Sequence, residues 1–158
     1  GFVRDPREKL VSGYFFKRQG SILNTIFQTK GARRVNVKAR TILGVLLARL
    51  LPFSVWCRLK PMKRCVDYFV DEDGEILVDY LGRTERLKED LMEILLIAGV
   101  SIPEGAAIPH TNSSTHRDWA EYFKSKYLNK LVKKKYAEDV QLFKLTKSGI
   151  YNHSKRRN

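Results

Sequence analysis

Six residues at the start of the sequence, Gly1-Phe2-Val3-Arg4-Asp5-Pro6, constrain the fold more than any others. Phe2 and Val3 read as the end of a buried strand, Asp5 is a residue type that caps helix N-termini, and Pro6 suits the first helical position. Glu8 completes an Asp-x-x-Glu capping box. Leu10, Val11, Tyr14 and Phe15 then share one face at helical spacing, so the helix is expected to run to about Lys17 or Arg18. A strand that turns directly into a helix is typical of a parallel sheet, whose strands need neighbours and crossover connections. Sequence upstream of Gly1 is therefore expected.

Further along, Ile22, Leu23, Ile26 and Phe27 predict a short second helix ending near Gly31. Ile42, Leu43, Leu46, Leu47, Leu50 and Leu51 form an apolar stripe closed by Pro52. That stripe is expected to face a core or a partner, a membrane-surface helix being the alternative. From Cys65 the period changes. Val66, Tyr68 and Val70 alternate with polar residues, Asp71-Glu72-Asp73-Gly74 makes a turn, and Ile76, Val78 and Tyr80 alternate again, predicting a hairpin or two successive strands. Thr84 is expected to cap a helix that buries Leu87, Leu91, Ile94, Leu95 and Ala98 and stops at Gly99. After an irregular stretch from Val100 to Ser114, a last helical region buries positions from Trp119 to Phe143 and leaves Lys126, Lys130, Lys133, Lys134 and Lys135 wet. These features predict one domain over residues 1–145 followed by a basic tail over 146–158.

The 158 residues are 43% hydrophobic, enough for a true core. Thirty Lys and Arg against 17 Asp and Glu give a net charge of +13, which points to a polyanionic partner: a nucleotide, nucleic acid, an anionic glycan or anionic lipid. Nucleic acid is the least favoured, because the aromatics keep core spacing and no nucleic-acid motif is present. Cys57 and Cys65 form neither a CxxC pair nor a Cys/His pattern, so two ordinary thiols are expected, with no metal site and no disulfide framework. No apolar run approaches the roughly 20 residues that span a bilayer.

The strand-to-helix turn is also where anion chemistry is expected. A helix start carries unpaired N–H groups and the positive end of the macrodipole. Arg4 adds a planar fork suited to phosphate oxygens. Ser12 lies roughly 9 Å of axial rise beyond the helix start and can donate from its hydroxyl to a phosphate lying alongside the first turns.

The run from Phe2 to Tyr14 resembles the 3′-phosphate-binding motif of sulfotransferases, in which a strand-end Arg and a helical Ser eight residues later hold the 3′-phosphate of the sulfate donor. Two further stretches resemble the carbohydrate-directed, Golgi-type branch and its bacterial relatives. Asp73 to Leu87 is similar to that branch's strand and helix start, and Pro109 to Ser114 with Trp119 to Phe143 is similar to its C-terminal loop and helix. The resemblance implies an α/β, P-loop-like sulfotransferase fold, a parallel sheet flanked by helices, with its N-terminal part upstream of Gly1. It implies 3′-phosphoadenosine 5′-phosphosulfate as co-substrate, no metal, and a carbohydrate acceptor, acidic glycans included. Arg4 and Ser12 become donor-binding residues. Asn112, Ser113, Ser114 and Arg117 occupy the place of a loop that reaches the same phosphate, and Arg83 either faces the nucleotide or caps the sheet edge. Glu85 is expected to be a structural acid at a helix start.

The family's loop for the 5′-phosphosulfate precedes the 3′-phosphate motif and has no counterpart within this sequence. Its catalytic base is a His or Glu; His110 and His116 lie near a matched loop, but neither has a sequence neighbour that would orient it, and no base is assigned. The competing reading is a non-catalytic module that binds a nucleotide or an anionic glycan. Bacterial members would be cytoplasmic and animal members would sit in the Golgi lumen.

Overall fold

A computed structural model describes residues 1–20, 39–59, 62–101, 114–146 and 150–151. The expected helix after Ser21 and the tail beyond Tyr151 lie outside them. The described residues divide into two compact units, one within Gly1–Pro6, Lys63–His110 and Val132–Asn158, the other within Arg7–Met62 and Thr111–Leu131.

The first unit is built on a three-stranded sheet in the order β1 (Phe2–Val3), β2 (Tyr80–Arg83), β3 (Ile150–Tyr151). β1 and β2 are parallel, with Phe2 opposite Gly82 and Val3 opposite Arg83. β3 joins antiparallel, with Leu81 opposite Ile150. Val3, Cys65, Leu81 and Leu142 form the buried centre, and Val66, Phe69, Val70, Ile76, Val78 and Phe143 pack around it. The parallel pair bears out an α/β arrangement.

Elsewhere in this unit tertiary contacts redirect the local pattern. Residues Val66–Phe69 form a short helix rather than the expected strand. The cause is the buried carboxylate of Asp139, which accepts the N–H of Cys65 at 2.8 Å and of Val66 at 3.1 Å. Those are orphan donors of a helix start, and a carboxylate there opposes the positive end of the helix. The expected hairpin survives only as one antiparallel bridge, Val70 to Ile76. Its turn is as expected: the Asp71 carboxylate accepts from the N–H groups of Asp73 and Glu75, and Gly74 has φ +88°, a conformation open to glycine.

Thr84 does not cap the next helix. It opens a 3₁₀ turn, Thr84–Arg86, from which the helix Leu87–Ile97 continues. That helix packs on β2 and sends the fully buried Asp90 to accept the Arg83 N–H at 2.6 Å. The Asp90 carboxylate fills the space a side chain at Gly82 would need, since an added Cβ would lie 2.6 Å from Oδ2 and 2.9 Å from the Asp90 Cβ. Gly99 ends the helix as expected, at φ +69°, with Gly99 N–H bonded to Leu96 O and Val100 N–H to Leu95 O. This pair of bonds is the Schellman arrangement. The expected buried face is only half-buried at Leu91, Ile94 and Leu95, and Leu87 and Ala98 are exposed.

Numbered in chain order, the helices are α1 (Pro6–Gln19), α2 (Ala39–Leu50), α3 (Phe53–Leu59), α4 (Val66–Phe69), α5 (Leu87–Ile97), α6 (Trp119–Tyr122), α7 (Lys126–Lys135) and α8 (Ala137–Leu145). The second unit gathers α1, α2, α3 and α6 around aromatic rings. Tyr14 of α1 meets Phe53 and Trp56 of α3 edge-on, each at 5.4 Å between centroids, and Phe53 meets Tyr122 at 5.5 Å. Such edge-to-face pairs add about 0.5–1.5 kcal/mol each beyond their buried area. The Tyr14 hydroxyl donates to Leu51 O at 2.9 Å, which ties α1 to the turn between α2 and α3.

Helix α2 buries its expected stripe only in part, Ile42, Leu47 and Leu51 being half-buried. Its buried residues are Gly44, Val45 and Ala48, whereas Leu43, Leu46 and Leu50 are exposed. The expected single helical region after Trp119 is three helices, the lysines at 126, 130, 133, 134 and 135 all being exposed.

Candidate functional site

Arg4 belongs to the first unit. It is half-buried just beyond the carboxyl end of β1, the end at which open parallel sheets bind ligands. The backbone there is fixed by Glu85, whose Oε1 accepts the Asp5 N–H at 3.2 Å. Glu85 thus holds the entry to α1, in keeping with the structural role expected of it. Arg83 lies in register beside this turn, opposite Val3. Its guanidinium is directed to the end of α8: Nη2 donates to Phe143 O, Nε to Thr146 Oγ1 at 3.3 Å, and its carbon lies 4.0 Å from the centre of the Phe143 ring. A cation at a helix C-terminus is favoured by the dipole. These contacts tie Arg83, on the central strand, to the end of α8.

Ser12 belongs to the second unit, half-buried on the seventh residue of α1. Its Oγ is 3.0 Å from the Oγ of Ser114. The two residues are 102 positions apart in sequence, and both were singled out for the same phosphate. Asn112 and Ser113 lie outside the described residues, as do His110 and His153. Arg117 follows Ser114 closely, but its guanidinium pairs with Glu121 at 3.2 Å on an exposed surface. An exposed pair of this kind holds its partners weakly, so the side chain is available for reorientation.

His116 has the orienting partners that its sequence neighbours did not reveal. Its Nδ1 is 2.8 Å from Arg117 O, its Nε2 is 3.4 Å from Glu8 Oε1, and its ring stacks on Phe15 at 5.8 Å. Both nitrogens are engaged, so the ring is held in a fixed orientation against α1. Gln19 was not anticipated either. Its Nε2 donates to Thr115 O at 2.7 Å, and its Oε1 accepts the Thr115 N–H at 3.2 Å. The only sequence signal for it is spacing, since Gln19 lies seven residues after Ser12 and therefore on the same helical face. Arg7, with its guanidinium 3.9 Å from the centre of the Trp119 ring, links α1 to α6 in the same unit.

Neither cysteine is in a disulfide, and both are buried. Among the described residues no group of three or more His, Cys, Asp and Glu side chains is gathered for a metal ion, and no helix is long and apolar enough to cross a membrane.

No curated protein and no solved structure matches the chain. A family model does, the sulfotransferase family, over residues 1–146. That span includes the strand, the turn and α1 with Arg4 and Ser12, and extends through Ser114 to the end of α8. The chain belongs to the sulfotransferase family.

Proposed function

We propose that this sulfotransferase takes its sulfuryl group from 3′-phosphoadenosine 5′-phosphosulfate and passes it to a hydroxyl or amine of a carbohydrate. Ser12 and Ser114 hold the donor's 3′-phosphate, Asn112, Ser113 and Arg117 assist from the same loop, and Arg4 is assigned to donor binding by the sequence motif of Phe2 to Tyr14 alone. The observation that carries this reading is the 3.0 Å approach of the Ser12 and Ser114 hydroxyls. An anionic oxygen set against both hydroxyls accepts a hydrogen bond from each. Phosphate offers several such oxygens, and bonds to it are charge-assisted, about twice as strong as neutral ones. The donor set therefore fits a phosphate.

The protein's own contributions are binding and orientation. Arg4 supplies a rigid, permanently charged fork at a strand's carboxyl end. The excess of positive charge, +13, raises the local concentration of an anionic donor and of an acidic acceptor. When bound, the donor would supply a sulfuryl group whose sulfur the acceptor oxygen or nitrogen attacks in line, displacing adenosine 3′,5′-bisphosphate and giving up the acceptor's proton. Holding the nucleotide's far end fixes the direction of that displacement.

Thermal denaturation with adenosine 3′,5′-bisphosphate tests the proposal. At about a hundred times its Kd a ligand adds about 2.7 kcal/mol to stability, and Arg4→Ala is expected to abolish that gain. Unchanged stabilisation of Arg4→Ala overturns the site. Stabilisation by oligonucleotide with a steep salt dependence, and none by the bisphosphate, overturns the function.

A further inference from the structure

One face of α1 carries Glu8, Ser12, Phe15 and Gln19, at spacings of four, three and four residues. This is the i, i+4, i+7, i+11 progression that stays on one side of a helix over three turns. Each of the four meets the segment Ser114–His116. Ser12 meets Ser114 hydroxyl to hydroxyl, Gln19 brackets Thr115 through both its backbone groups, and Phe15 and Glu8 hold the two sides of the His116 ring. All these contacts lie in the second unit.

The Gln19 carboxamide is the unusual member. A side-chain amide that donates to a backbone carbonyl and accepts from the N–H of the same residue replaces a neighbouring peptide group, and it fixes that residue in two directions at once. Thr115 is adjacent to Ser114, so anchoring both backbone groups of Thr115 limits where the Ser114 hydroxyl can go. The bond pair to Thr115 is the anchor nearest the serine, and without it the Ser114 backbone is held to α1 only from the His116 side.

We infer that Gln19 is a positioning residue for donor binding. It holds the Thr115 backbone so that the Ser114 hydroxyl stands beside Ser12, completing a two-hydroxyl seat for a phosphate monoester. The inference rests on the reading that Ser12 and Ser114 bind the 3′-phosphate. It adds a residue that touches no ligand and yet sets the preference for a nucleotide carrying that phosphate.

The test compares two probes, adenosine 3′,5′-bisphosphate and adenosine 5′-phosphate, by calorimetric titration of the full chain, wild type, Gln19→Ala and Gln19→Met. Methionine keeps the length and helix preference of glutamine and removes both hydrogen bonds. The wild type is expected to bind the bisphosphate at least about tenfold more tightly, the worth of one good hydrogen bond to a charged group. Both variants should lose most of that preference, with roughly tenfold weaker binding of the bisphosphate, binding of the 5′-phosphate within about twofold, and an unchanged urea midpoint for the free protein. A wild-type ratio in Gln19→Met overturns the inference and leaves the proposed site standing. Equal weakening toward both probes also overturns it, because the residue then serves structure alone. A wild type that does not distinguish the probes overturns the 3′-phosphate site, and this inference with it.

Discussion

Asp139 is the residue whose loss should damage the fold most for its size. It is 1% exposed, and its two oxygens each accept one backbone N–H, from Cys65 at 2.8 Å and from Val66 at 3.1 Å. Cys65 belongs to the central cluster with Val3, Leu81 and Leu142, so these bonds hold a core residue as well as a helix start. Asp139→Ala leaves two N–H groups without acceptors. Hydrogen bonds to a charged group contribute about 1.5–3 kcal/mol each, so the expected loss is about 3–5 kcal/mol. That is a large share of a whole-domain stability of about 5–15 kcal/mol. Asp139→Asn keeps one carbonyl oxygen but turns an amide donor toward the second N–H, so it should recover only part of the loss. Urea titration followed by circular dichroism reads the midpoint, and a scan should show melting about 10 °C lower for the alanine variant, at about 2–4 °C per kcal/mol. A loss below about 1 kcal/mol for Asp139→Ala would refute the capping argument.

Gly82→Ala should cost about 1–3 kcal/mol, because the new Cβ falls 2.9 Å from the Asp90 Cβ in a wall fixed by the Arg83 N–H bond; a neutral urea midpoint would contradict this. The Cys57 thiol is pushed up to about 12 by burial, so native Cys65→Ser protein should react with a thiol reagent at about pH 8 only as fast as it opens, and reaction within seconds would show the site to be exposed. Asp67 is hydrogen-bonded by the Arg64 guanidinium, which holds its carboxyl below the usual range. Its contribution is therefore complete above the unfolded value near ~3.9 and is lost as pH falls through the lower folded value. Asp67→Asn should flatten the acid limb of a stability-against-pH curve, and an unaltered limb would rule this pair out as a source of acid sensitivity.

The parts of the fold legible in the sequence are those governed by local rules. Pro6 after Asp5 marked the start of α1, Gly99 marked the end of α5, and Asp71 with Gly74 marked a tight turn, because each acts through residues within five positions. The misread parts answer to distant partners. Val66–Phe69 alternates like a strand, but Asp139, 73 positions away, caps it as a helix. The region after Trp119 contains no Gly or Pro up to α8, so its two breaks had no punctuation to betray them. The first lies where the Asn129 side chain donates to Phe123 O at 2.6 Å, and the second at Tyr136, whose φ of −128° and ψ of 25° are not helical. In α2 the leucines outnumber the small residues, yet Gly44, Val45 and Ala48 are the buried ones.

The candidate site shows the same division. Arg4 and Ser12 were legible as candidates because both sit on one short motif, and Ser114 because it lies in a matched loop; the structure brings Ser12 and Ser114 together. Gln19 was not, since its role depends on a bond pair to Thr115, 96 positions later. Arg83 was half legible. Its place at the strand end followed from the pattern, but its attachment to Phe143 and Thr146 required the fold.

The central claim is that Ser12 and Ser114 act on one phosphate, and a double-mutant cycle tests it most directly. Titration of adenosine 3′,5′-bisphosphate into wild type, Ser12→Ala, Ser114→Ala and the double variant gives four dissociation constants. Two hydroxyls 3.0 Å apart that share one phosphate should be coupled by about 0.5–3 kcal/mol, so the double variant binds no more than a few-fold worse than the weaker single variant. Losses that simply add, or single variants that bind like wild type, would contradict a shared site.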